Sequence, residues 1–161
     1  MTAGRRPRKR HLSVALALVL AGAAPVPQAG ATERIVSDRH TGLALYGIDP
    51  VAYFTDGKPV EGKADFELRH AGTIWRFHNE GNRAAFAADP DVYMPRFGGY
   101  DPVGVSRGLA TPGYPSLWTV YDQRLYLFYT AQARDAFLAN PVSAIAAASA
   151  RWSSVRAELA D

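Results

Sequence analysis

An α+β domain is what the sequence predicts: two β-hairpin–helix repeats forming one small mixed or antiparallel sheet packed by helices, plus a C-terminal helix. Three observations predict it. The chain contains an internal repeat, apolar residues alternate on either side of two-residue turns, and alanine-rich stretches stop at Asp-Pro or Asn-Pro.

The repeat comes first because it organises the rest. Gly47-Ile48-Asp49-Pro50-Val51 recurs as Gly99-Tyr100-Asp101-Pro102-Val103 at a shift of 52, and after a one-residue deletion the shift becomes 51. Gly57 then matches Gly108, Gly62 matches Gly113, Phe77 matches Phe128, Phe86 matches Phe137 and Pro90 matches Pro141. Twelve identities result across the span, where average composition gives roughly three. Residues 47–90 and 99–141 are therefore read as two copies of one unit.

In the first copy Phe66, Leu68 and His70 alternate with Glu67 and Arg69, Ala71-Gly72 turns the chain, and Thr73, Trp75 and Phe77 alternate with Ile74, Arg76 and His78. This spacing predicts a hairpin in which 68 faces 75, 66 faces 77, Glu67 faces Arg76 and Asp65 lies opposite His78. A helix follows from the cap Asn79 to Asp89-Pro90. The second copy repeats this over strands 117–121 and 124–129, with Thr130 as cap and a stop at Asn140-Pro141. Its hairpin is apolar on both faces, which predicts two covers, and the helix from Val142 to about Leu159 is the expected second one. The turn Asp122-Gln123 lacks the glycine that a type I′ turn favours.

Composition narrows the function. The 161 residues contain no cysteine, which excludes disulfide scaffolds, thiolate metal sites and cysteine nucleophiles. Residues 1–31 hold five Lys/Arg and no Asp or Glu, and removing them leaves 13 Lys/Arg against 15 Asp/Glu. The basic balance thus belongs to the N-terminus and carries no argument for nucleic acid. Arg5 to Arg10, the apolar run Leu12 to Ala24 and the triplet Ala29-Gly30-Ala31 have the order of a secretory signal peptide, with Sec-type export favoured over Tat and cleavage near Ala31. Thirteen apolar residues are too few for a stable transmembrane anchor. A periplasmic or secreted domain over 43–160 is expected, with 32–42 as linker.

The order of motifs resembles the YHS domain family, in its exported single-module proteins. The residues that carry the resemblance are Gly47-Ile48-Asp49-Pro50-Val51-Ala52-Tyr53-Phe54, Gly72-Thr73-Ile74-Trp75-Arg76-Phe77-His78-Asn79, Asn82, Phe86, Asp89-Pro90, Tyr93, Phe97-Gly98-Gly99-Tyr100 and Leu125-Tyr126-Leu127. The resemblance implies a small binding or accessory module, with a metal role suspected from the family's cysteines. This chain has Ala52, His78 and Asn82 where such modules place them, and Asp101 where longer exported relatives have another. What remains for a metal is His78 and Asn82 at i, i+4, Asp65 opposite His78, and Asp101. Such a set would hold copper, zinc or nickel weakly. The other reading of His78 is a surface histidine paired with Asp65.

Asp49 and Asp101 each precede a proline. They are read either as turn-fixing acceptors of backbone N–H groups or as a carboxylate pair that binds a cation. Asp49, Tyr53 and Tyr100 are the candidate lining of a small ligand pocket between the copies. Phe97-Gly98-Gly99-Tyr100 lacks phosphate-loop spacing, and no serine sits in a nucleophile elbow. The expected function is a non-enzymatic exported binding module for a small ligand or, weakly, a divalent metal. The alternatives are a module for a periplasmic protein partner, or a small enzyme using Asp49, Asp101 and His78.

Overall fold

The computed structural model describes Met1 and residues 34–159. The predicted signal peptide, Met1 apart, lies outside the described residues. The chain adopts the α+β class, with two antiparallel hairpins, packing helices and a long C-terminal helix.

The first copy runs through a turn at Leu45–Gly47, α1 (Ala52–Thr55), β1 (Lys63–His70), β2 (Thr73–Phe77), α2 (Glu80–Ala88) and α3 (Pro90–Tyr93). The second runs through a turn at Arg96–Gly99, α4 (Pro102–Ser106), β3 (Tyr114–Tyr121), β4 (Arg124–Phe128), α5 (Ala131–Ala139) and α6 (Pro141–Ala157). The repetition extends past the identical Gly47 and Gly99 to the differing pairs before them, Leu45 with Phe97 and Tyr46 with Gly98. Leu45, Tyr46 and Gly47 have φ of 50°, 57° and 81°, and Phe97, Gly98 and Gly99 have 54°, 63° and 89°. Three successive left-handed residues are costly for L side chains, so tertiary contacts must hold each turn. Gly98 has a further reason to be glycine: a Cβ there would collide with the backbone oxygen of Arg34.

Local signals produce the elements as expected. Ala71-Gly72 and Asp122-Gln123 all have positive φ, between 49° and 83°, as type I′ turns require, so the second hairpin makes this turn without glycine. Asn79 Oδ1 accepts the N–H of Asn82 at 2.8 Å, and Thr130 Oγ1 accepts that of Ala133 at 3.1 Å. Pro90 and Pro141 end one helix and open the next, since proline suits a first helical turn but not a helix interior.

The register departs from the simple hairpin at one place in each copy. Leu68 faces Trp75 and Glu67 faces Arg76 as predicted, but a bulge between Lys63 and Glu67 sets Phe77 opposite Lys63 rather than Phe66. The same bulge lies between Tyr114 and Trp118, where Phe128 faces Tyr114. Asp65 therefore does not take its predicted place opposite His78, and it is exposed.

The strands form two two-stranded sheets, where one was expected. The free edge of β2 is already taken: Leu43 bridges Ile74 in parallel, and the Ala44 N–H donates to Ile74 O at 2.8 Å. Residues 34–42 consequently do not behave as the expected linker. Val36 is only 3% exposed, and its N–H donates to Gly98 O at 2.8 Å.

Instead of joining edge to edge, the hairpins pack through side chains. Leu125 and Leu127 of β4 enter a core with Leu45, Trp75, Phe77 and Phe86, while Tyr126 and Phe128 on the opposite face enter a core with Phe97, Tyr100, Val105 and Phe137. The second hairpin is thus covered twice, as predicted, but the extra cover is the first repeat rather than α6. The C-terminal helix instead lays Trp152 against Phe97 and Tyr100, ring centroids 5.7 and 6.3 Å apart. Among the described residues no helix is long and apolar enough to cross a membrane.

Candidate functional site

The two aspartates of the repeat are the buried carboxylates among the described residues, Asp49 at 0% and Asp101 at 3% exposure. A carboxylate taken out of water has to be hydrogen-bonded, and the residue after the proline supplies the first donor in each copy. Asp49 Oδ1 accepts the Val51 N–H at 2.8 Å, and Asp101 Oδ1 accepts the Val103 N–H at 2.8 Å. The second donor comes from the residue that leaves the hairpin: the His78 N–H reaches Asp49 Oδ2 at 2.8 Å, and the Tyr129 N–H reaches Asp101 Oδ2 at 3.0 Å. Each carboxylate so ties the start of its copy to the strand–helix junction. In the first copy alone, Asn82 adds its Nδ2 at 2.7 Å from Asp49 Oδ2, because Asn82 is replaced by Ala133 in the second.

This geometry decides between the two readings of the aspartates. Both act as turn-fixing acceptors, each within its own copy. Of the proposed metal set, only His78 and Asn82 come together, joined through Asp49, whose oxygens are occupied by N–H donors. Asp65 is exposed on β1 and Asp101 serves the other copy. Among the described residues no three His, Asp or Glu side chains are grouped to hold a metal ion. Of the metal ligands that the resemblance implies, only His78 and the Asn82 amide oxygen are thus in the same place, beside Asp49, while Asp65 and Asp101 lie elsewhere.

The proposed ligand-pocket residues are likewise internal. Tyr53 is 2% exposed, donates its hydroxyl to Pro115 O at 2.9 Å and meets Trp118 edge-on at 5.0 Å. Burial pushes its phenol well above the ordinary tyrosine range. Tyr100 is 1% exposed. Neither tyrosine, nor Asp49, lines either of two concavities on the surface.

The larger concavity, of about 840 Å³, lies between residues 34–42, the first hairpin turn and α6. Arg69 and Arg156 line it together with Ile74, Met94 and Trp152. A smaller one of about 400 Å³ shares Asp91, Met94, Pro95 and Trp152 with it and adds Arg96 and Arg124. Asp91 is the one acidic residue lining either, and its carbonyl accepts from Arg124 at 2.7 Å. Sequence reasoning did not find this groove. Its residues come from five separate segments, and no local pattern links Arg69, Arg124 and Arg156.

No family model, curated protein or solved structure matches the chain.

Proposed function

We propose that this chain is an exported, non-enzymatic binding or accessory module of the YHS type, lacking the family's thiolates, which takes a small ligand in the groove beside Trp152. One observation carries the reading: Asp49 and Asp101 of the enzyme alternative, and Asn82 of the metal set, are engaged by hydrogen bonds inside the fold, while the groove lies apart from them. Metal titration of the purified protein, with His78→Ala as control, tests it. The expected result is no stoichiometric copper, zinc or nickel at micromolar metal. Stoichiometric metal abolished by His78→Ala would overturn the reading in favour of a metal site. Export is tested separately by the N-terminal sequence of the mature protein, expected to begin after Ala31.

A protein-interaction module is the second reading, favoured by an exposed aromatic patch. Tyr114 and Tyr129, 46% and 47% exposed, stack at 5.4 Å with 23° between their planes. Tyr46 lies nearby, its phenol raised by burial and then by Tyr114. Such a patch on a small domain marks a contact surface.

A further inference from the structure

We infer that the groove beside Trp152 binds small amphipathic anions: molecules with an aromatic or aliphatic body and one carboxylate, sulfonate or phosphate group. The inference rests on the reading of this groove as the ligand site and names its ligand class.

Charge is the first argument. The chain after residue 31 carries more acidic than basic residues, 15 against 13, yet the groove and its extension are lined by several arginines and the single acid Asp91. Arg69 stands on β1 directly across from Ile74 of β2, and Arg156 is on the last turn of α6. Both are exposed, so their guanidinium groups stay hydrated and available. Guanidinium is the side chain best matched to a planar or tetrahedral oxyanion, which it can grip with two N–H donors.

Shape and polarity supply the second argument. Beside the arginines the lining has an apolar part, with Ile74, Met94, Pro95 and the half-buried ring of Trp152, next to the hydroxyls of Ser37, Thr41 and Thr73. A volume of about 840 Å³ falls within the range of small-molecule sites. An inorganic anion would leave that apolar part wet, and a purely apolar ligand would leave Arg69 and Arg156 with no counter-charge. A molecule carrying both features satisfies the whole surface. Trp152 is anchored behind by Phe97 and Tyr100, so its ring is a preformed support that needs no ordering on binding.

Two fluorescent probes with nearly the same aromatic body test this on the purified protein: the anion anilinonaphthalene sulfonate and the neutral phenylnaphthylamine. The expected result is one site per chain for the anion, at least about tenfold tighter than for the neutral probe, as one charge-assisted interaction supplies. The double variant Arg69→Gln/Arg156→Gln should abolish that preference, whereas Arg107→Gln, exposed just after α4 and outside the groove, should leave it intact. Near-ultraviolet circular dichroism and the melting temperature, unchanged in both variants, exclude probe binding to unfolded protein. Equal binding of the two probes, competed by decanol and by decanoate alike, would overturn the anion class while leaving the groove as a ligand site. Absence of binding by either probe would overturn both the inference and the reading on which it rests.

Discussion

Asn82 donates its side-chain N–H to Asp49 at 2.7 Å, from one turn inside α2 to a carboxylate 33 positions earlier in the chain. The bond joins helix, hairpin exit and Asp-Pro turn in the first copy, and it has no counterpart in the second, where the equivalent residue is Ala133. The asymmetry makes the repeat its own control.

Asn82→Ala should lower stability by about 1–3 kcal/mol, because a buried carboxylate loses one of its donors. Asp49→Asn should cost more, about 3–5 kcal/mol, since an amide N–H₂ must then face N–H donors it cannot satisfy. In the double variant the losses should fall short of additive, which urea denaturation of all four proteins would measure. Full additivity would show that the two side chains do not interact.

Gln123→Gly should stabilise the protein by about 0.5–1 kcal/mol. Gln123 holds a φ of 54° at the second central position of its turn, where glycine takes the left-handed conformation without steric cost. Gly72→Ala, at φ 83° in the equivalent turn, should destabilise by a similar amount. Thermal unfolding of both variants provides the check, and melting shifts of the same sign would contradict it.

The buried Tyr53 phenol predicts alkaline lability. Its pKa is raised in the folded state by burial, so the unfolded chain releases this proton near the ordinary tyrosine value of about 10 while the folded chain keeps it. Stability is therefore complete below about pH 10 and declines as pH rises above it, by up to about 1.4 kcal/mol per pH unit for this group. Tyr53→Phe should cost about 1 kcal/mol at neutral pH through the lost bond to Pro115 O. It should also flatten the decline above pH 10, as denaturation at stepped pH would show.

By itself the sequence determined the features that short-range chemistry specifies. The repeat, the caps Asn79 and Thr130, the Leu68–Trp75 pairing, the Asp-Pro turns and the two-sided burial of the second hairpin are all written in neighbouring residues, because capping, turn preference and period-two alternation act over a few positions. Tertiary structure decided what depends on distant surfaces. Alternation cannot reveal that three extra residues on β1 between Lys63 and Glu67 will shift Phe66 and Asp65 away from Phe77 and His78. Nor can the apolar face of Leu125 and Leu127 say that the first repeat, and not α6, will cover it. Beyond the local Val51 and Val103 N–H groups, the donors to Asp49 and Asp101 come from residues 28–33 positions away, and Arg69 and Arg156 share a groove only because β1 and α6 fold to its two sides. A hydrophobic face specifies that it must be buried but not by what, and a buried carboxylate specifies that it needs donors but not which; the packed chain supplies both answers.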